Sequence, residues 1–119
     1  MMDMEINGSV IRVELEDNSS VQELKELLRK GSLTLEMNDF AHMENFANLG
    51  VALPKNDETI TVMPGDVILS EGCLLVIYYA SNTWNFTRLG KARDLSQDEL
   101  RKILGKGRVT AVLTLGEAV

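Results

Sequence analysis

The chain has 119 residues, 45% hydrophobic and 25% charged, the mix of one compact domain with a core of its own and not of a disordered polar chain. Its single cysteine, Cys73, excludes an internal disulfide, and no apolar run approaches the roughly 20 residues of a membrane helix. At a formal net charge of −6, with 12 basic residues scattered among 18 acidic ones, it offers no electropositive footprint for nucleic acid.

The opening MMDMEINGSV has neither a basic region nor a long apolar run. A secretory signal is not expected, and the expected compartment is the cytoplasm. The Asn-x-Ser/Thr strings at Asn7, Asn18 and Asn85 are then chance matches. Met2, Met4 and Ile6 alternate with Asp3, Glu5 and Asn7; Ile11, Val13 and Leu15 alternate with Arg12, Glu14 and Glu16. Asn7-Gly8 between them predicts a tight hairpin, because both residues tolerate positive φ. The period then changes. Ser20 and Glu23 have capping-box spacing, and Val21, Leu24, Leu27 and Leu28 form one stripe. A helix over about 20–30 follows, with Gly31 as its left-handed stop.

Leu33, Leu35 and Met37 alternate as a strand. Residues 38–58, rich in asparagine and holding the lone His42 and Leu53-Pro54, predict a long irregular loop in which Asn48–Leu53 pairs as a short strand. Ile60 and Val62 mark the next strand, and Met63-Pro64-Gly65-Asp66 a type II turn. Val67–Leu69 is a strand, Glu71-Gly72 a turn, and Leu74–Tyr79, apolar on both faces, a central strand covered on both sides. Ser81–Asn85 reads as a polar loop carrying Trp84, and Phe86–Lys91 as a strand. Ser96 and Glu99 form a second capping box for a helix over about 96–104, with Leu100, Ile103 and Leu104 inward and Gly105 and Gly107 as stops. Val109, Ala111, Leu113 and Leu115 alternate as the last strand. Small antiparallel sheets remove their edges by closing. The expected fold is mainly β: one domain over 1–119, a closed antiparallel eight-stranded barrel with two short helices capping its ends.

Several pieces, in this order and spacing, carry a resemblance. They are the Asn7-Gly8 hairpin, the Val21–Leu28 helix, LTLEMND at 33–39, Leu53-Pro54, PGDV at 64–67, the Leu74–Tyr79 strand, RLG at 88–90 and LRKILGKGR at 100–108. The chain resembles the bacterial and archaeal cyclophilin-like domains, small relatives in fold of the cyclophilin prolyl isomerases. The resemblance implies a closed eight-stranded barrel with a helix at each end; it does not imply a known activity. True cyclophilins carry a Phe-His-Arg string that this chain lacks; its one histidine is followed by Met43. Some relatives are joined to flavodoxin-like electron carriers, which implies an accessory role beside a protein partner.

The residues offer few chemistries. Prolyl isomerisation needs an apolar pocket and a fixed cation for the amide as it loses conjugation. Arg88, between Phe86 and Leu89 and just after Trp84, is the candidate cation; its plain reading is a solvated strand residue. Asp39, His42 and Glu44 lie within six residues, but their spacing fits no metal motif, and neither metal nor cofactor is expected. Cys73 is a nucleophile only beside a base such as His42, and otherwise core. The methionines, Met4, Met37 and Met63 among them, read as inward core filler. No glycine-rich phosphate motif precedes a helix.

Three functions follow. The first is a non-catalytic module binding a small molecule or peptide through Asp39, Phe40, His42 and Phe46 with Asn82, Trp84, Phe86 and Arg88. It requires Asp39–Phe46 and Ser81–Arg88 to rim one concave patch. The second is a weak peptidyl-prolyl isomerase, and the third an accessory module that docks a protein. Neither nucleic acid nor membrane is an expected partner.

Overall fold

The computed structural model describes residues 1–105 and 107–116. Its elements are β1 (Met2–Ile6), β2 (Ser9–Leu15), α1 (Ser19–Arg29), β3 (Leu33–Phe40), β4 (Glu44–Asn48), β5 (Glu58–Val62), β6 (Asp66–Ser70), β7 (Leu74–Tyr78), β8 (Asn82–Lys91), α2 (Gln97–Leu104) and β9 (Arg108–Leu115). The strands run β2-β1-β9-β3-β4-β7-β6-β8 in one antiparallel sheet. β2 returns to β8 through Glu14↔Lys91 and Leu15↔Gly90, so eight strands make a near-closed ring. β5, the ninth, stands outside it and pairs with the first half of β8, from Glu58↔Phe86 to Val62↔Asn82.

Closure is possible because residue 90 has no side chain. A Cβ there would sit 2.5 Å from the Glu14 carbonyl oxygen and 2.7 Å from Val13 Cγ1. Beside it, the register of β6 on β8 shifts at Val67/Ile68, a bulge that re-aims β8 as it leaves the ring.

Two cores result. Met2, Met4, Ile11, Val13, Met37, Leu75, Ile77 and Leu113 fill the ring, with Val21 and Leu24 of α1 and Leu100 and Leu104 of α2 packed among them. A smaller cluster lies outside it: Ile60 and Val62 of β5, Ile68, Val76, Tyr78 and Phe86. β7 is therefore covered on both sides, as its unbroken apolar run requires. The Asn7-Gly8 turn takes the positive φ expected of it, the expected turn at Glu71-Gly72 forms with both residues at positive φ, and Met63–Asp66 closes through Asp66 N–H to the Met63 carbonyl at 3.0 Å with Gly65 at φ +96.

Five expectations are corrected. The cap of α1 is Asn18, not Ser20. Asn18 Oδ1 accepts from Val21 N at 2.9 Å and its Nδ2 donates to the Arg88 carbonyl at 2.8 Å, while buried Ser20 donates its hydroxyl to the Pro54 carbonyl. Gly31 is not a left-handed helical stop: the cap is Lys30 in the right-handed region, and Gly31 has φ +152.

The 38–58 stretch is not irregular throughout: β3 continues to Phe40, and the strand expected at Asn48–Leu53 lies earlier, at Glu44–Asn48. Its inward positions are Asn45 and Ala47, so a buried asparagine hides the alternation; Asn45 Nδ2 donates to the Leu104 carbonyl at 2.6 Å, tying β4 to the end of α2. The preceding turn places Ala41 and His42 at φ +55 and +54, without the Gly or Asn that would have signalled a hairpin. The Ser81–Asn85 segment, read as a loop, is largely the start of β8. Met63 is exposed, because it begins a turn and does not face a core.

Candidate functional site

β6 and β8 part company at one point. Their pairing ends at Leu69↔Thr87. Beyond it β6 runs on to Ser70 and pairs with β7, while Asn82–Phe86 of β8 pairs with β5 alone. Among the described residues, no strand pairs the other backbone edge of Asn82–Phe86. The residues past the fork on both strands, Ser70 and Glu71 on one and Asn82, Trp84 and Phe86 on the other, line a groove of about 480 Å³. Its floor is the outer face of β4 and β7, carrying Glu44 and Phe46 with Leu74, Val76 and Tyr78, and Phe40 closes the β3 end. The outer core of Ile60, Val62, Ile68 and Phe86 props the β5–β8 ribbon against this face.

The groove is aromatic with a short polar line. Trp84 is 68% exposed and Phe40 58%, the two largest exposures among the described large hydrophobic residues. Phe40 meets Phe46 edge-on at 6.4 Å between centroids, and Tyr78 meets Phe86 at 5.9 Å. Asn82 Nδ2 donates to the Tyr78 hydroxyl at 3.2 Å. Burial raises the Glu44 carboxyl above its ordinary value; the Tyr78 hydroxyl opposes this and the Asp39 charge adds to it. Burial likewise pushes the Tyr78 phenol up to about 12, with the Asn82 bond acting against it and Glu44 reinforcing it. Among the described residues no lysine or arginine lines the groove.

Of the eight residues singled out from the sequence, five meet here: Phe40, Phe46, Asn82, Trp84 and Phe86. Three do not. Asp39 turns away to accept from the Tyr79 hydroxyl and, at 3.1 Å, from His42 N–H, which pins the end of β3 to the end of β7. His42 projects into solvent, its Nδ1 3.4 Å from Asp39 Oδ2. Arg88 lies on the far side of the fork, 3.9 Å from Asp66 Oδ2, in a polar cleft with Glu14, Glu16 and Lys91. The second half of the sequence-derived patch therefore ends at Phe86. Cys73 and His42 stand at opposite ends of the β4–β7 ladder, Asn48↔Leu74 beside one and Glu44↔Tyr78 beside the other, so they form no pair.

Glu44, Ser70, Glu71, Leu74, Val76 and Tyr78 were missed as site residues. The signal was available for two of them: Val76 and Tyr78 occupy alternate positions of a strand apolar on both faces, so one set had to point away from the ring. Among the described residues no three His, Cys, Asp or Glu side chains are grouped to hold a metal. No described helix is long and apolar enough to cross a membrane.

A family model described as the cyclophilin-like family matches residues 4–115, nearly the whole chain, and the chain belongs to that family. No curated protein and no solved structure matches it.

Proposed function

We propose that this member of the cyclophilin-like family is a non-catalytic binding module whose groove takes a short extended peptide. The observation that carries the reading is the edge of Asn82–Phe86 that no described strand pairs, running along an aromatic groove. Extended peptides add to such edges through main-chain hydrogen bonds, and side-chain pockets supply selectivity. Trp84 and Phe40 offer large, stiff contact area at low entropic cost, which favours them as anchors. Catalysis of prolyl isomerisation is the weaker reading, because Arg88 is engaged with Asp66 outside the groove and no other described cation lines it. A reducing compartment such as the cytoplasm suits the free Cys73.

The chain's sole tryptophan is itself the reporter. Pools of unstructured hexapeptides titrated to roughly 1 mM, the weak end of specific binding, are expected to give a saturable blue shift of Trp84 emission for some pools. Phe46→Ala is expected to abolish it. No saturable change from any pool removes the reading.

A further inference from the structure

We infer that the groove selects an extended peptide bearing a lysine or arginine between apolar residues, the cation meeting the Glu44 carboxylate. This rests on the peptide-binding reading above and goes on to the chemistry of the occupant.

Glu44 is a half-buried carboxylate on the groove floor with no basic residue among the described lining residues, and Glu71 adds a second carboxylate at the rim. The groups around Glu44 come from three elements. Asp39 on β3 adds negative charge, Tyr78 on β7 is a neutral hydroxyl, and Asn82 on β8 is engaged with that hydroxyl. Arg101 of α2 lies over the neighbouring Tyr79 ring at 6.0 Å, where its charge acts on the Tyr79 hydroxyl alongside those of Asp39 and Glu44, and it is not among the groove-lining residues. An anionic segment would meet two carboxylates of like sign. A neutral segment would cover Glu44, strip its water and leave its charge with the Tyr78 hydroxyl but no opposite charge, a costly arrangement for a buried ion. A cationic side chain supplies the missing partner, and the exposed faces of Phe40 and Trp84 attract cations further. The apolar flanks of the peptide match Phe46, Leu74 and Val76. The chain's net charge of −6 favours encounter with such a segment.

The probe is an acetylated, amidated hexapeptide with one lysine between leucines, compared with a twin carrying glutamine in its place. Both are titrated by Trp84 emission against the wild-type protein and Glu44→Gln, with folding checked by circular dichroism. The lysine peptide is expected to bind about tenfold or more tightly than its twin, the scale of a charge-assisted hydrogen bond. The difference should vanish in Glu44→Gln, and the lysine peptide should weaken on acidification in the wild type only. Equal affinities for the two peptides overturn the cation assignment while leaving peptide binding standing. Binding of neither overturns both. n-Butylammonium producing the same shift at the same concentration overturns the peptide in favour of a small amine.

Discussion

Replacing Gly90 by alanine tests how the ring is closed. The added methyl would lie 2.5 Å from a backbone oxygen, that of Glu14, and 2.7 Å from Val13 Cγ1. β2 must retreat, yet the seam it forms is only two paired positions long, supplemented by Glu16 N–H to the Leu89 carbonyl at 2.8 Å. Overpacking of this kind costs about 1–3 kcal/mol. With roughly 0.25 kcal/mol/K of unfolding entropy for a chain of this length, that is a fall in Tm of about 4–12 °C. The matched control is Gly8→Ala, where φ is +83 and nothing lies within 4 Å of the added atom. It carries left-handed strain alone, about 1 kcal/mol. Calorimetric melting should rank the two, and hydrogen exchange at the Glu16 amide should speed up more in Gly90→Ala than global destabilisation explains. A Gly90→Ala protein melting within about 2 °C of wild type, with Glu16 still protected, would refute the claim that the ring closes through bare backbone at this position.

Gly65→Val should lose more than about 2 kcal/mol in urea unfolding, because Gly65 combines φ +96 with a Cβ position 2.5 Å from the Ala92 oxygen. Asn18→Ala removes both the α1 cap and the bond to the Arg88 carbonyl, and should cost about 1–2 kcal/mol by the same measurement. Glu44→Gln should melt at or above the wild-type temperature at pH 7, since the carboxyl's raised pKa means that its charged form opposes folding. Burial raises both phenols, Tyr78 to about 12 and Tyr79 further, so folding favours their protonated forms. That contribution is intact below the ordinary value of about 10 and is lost as pH rises through 12, so tyrosinate absorbance should lag free tyrosine and appear together with unfolding.

What the sequence disclosed was the part written in hydrophobic period and turn chemistry. Asn7-Gly8, Pro64-Gly65 and Glu71-Gly72 announced their turns, and the two-sided apolar run of β7 announced that something must cover the ring from outside. The groove lay where these signals fail. β4 hides its register behind Asn45, a buried amide serving α2, and its hairpin uses Ala41 and His42 where glycine or asparagine was to be expected. The first half of β8 looks like a polar loop because it is an edge ribbon, half in water, whose inward face touches only the small outer core. Arg88 was assigned to the patch by its nearness to Trp84 in sequence; the divergence of β8 from β6 separates the two in space. Glu44 was noted only for its nearness to Asp39 and His42 and within the Asp39–Phe46 segment, since a carboxylate on a strand face reads as solvated until the fold half-buries it.

The measurement that bears most directly on the account is amide shift mapping of the isotopically labelled protein with the lysine hexapeptide. Saturable shifts confined to Glu44–Phe46, Ser70–Glu71 and Asn82–Phe86 are the predicted result. Shifts centred instead on the Arg88–Asp66 cleft, or none at saturating peptide, would contradict it.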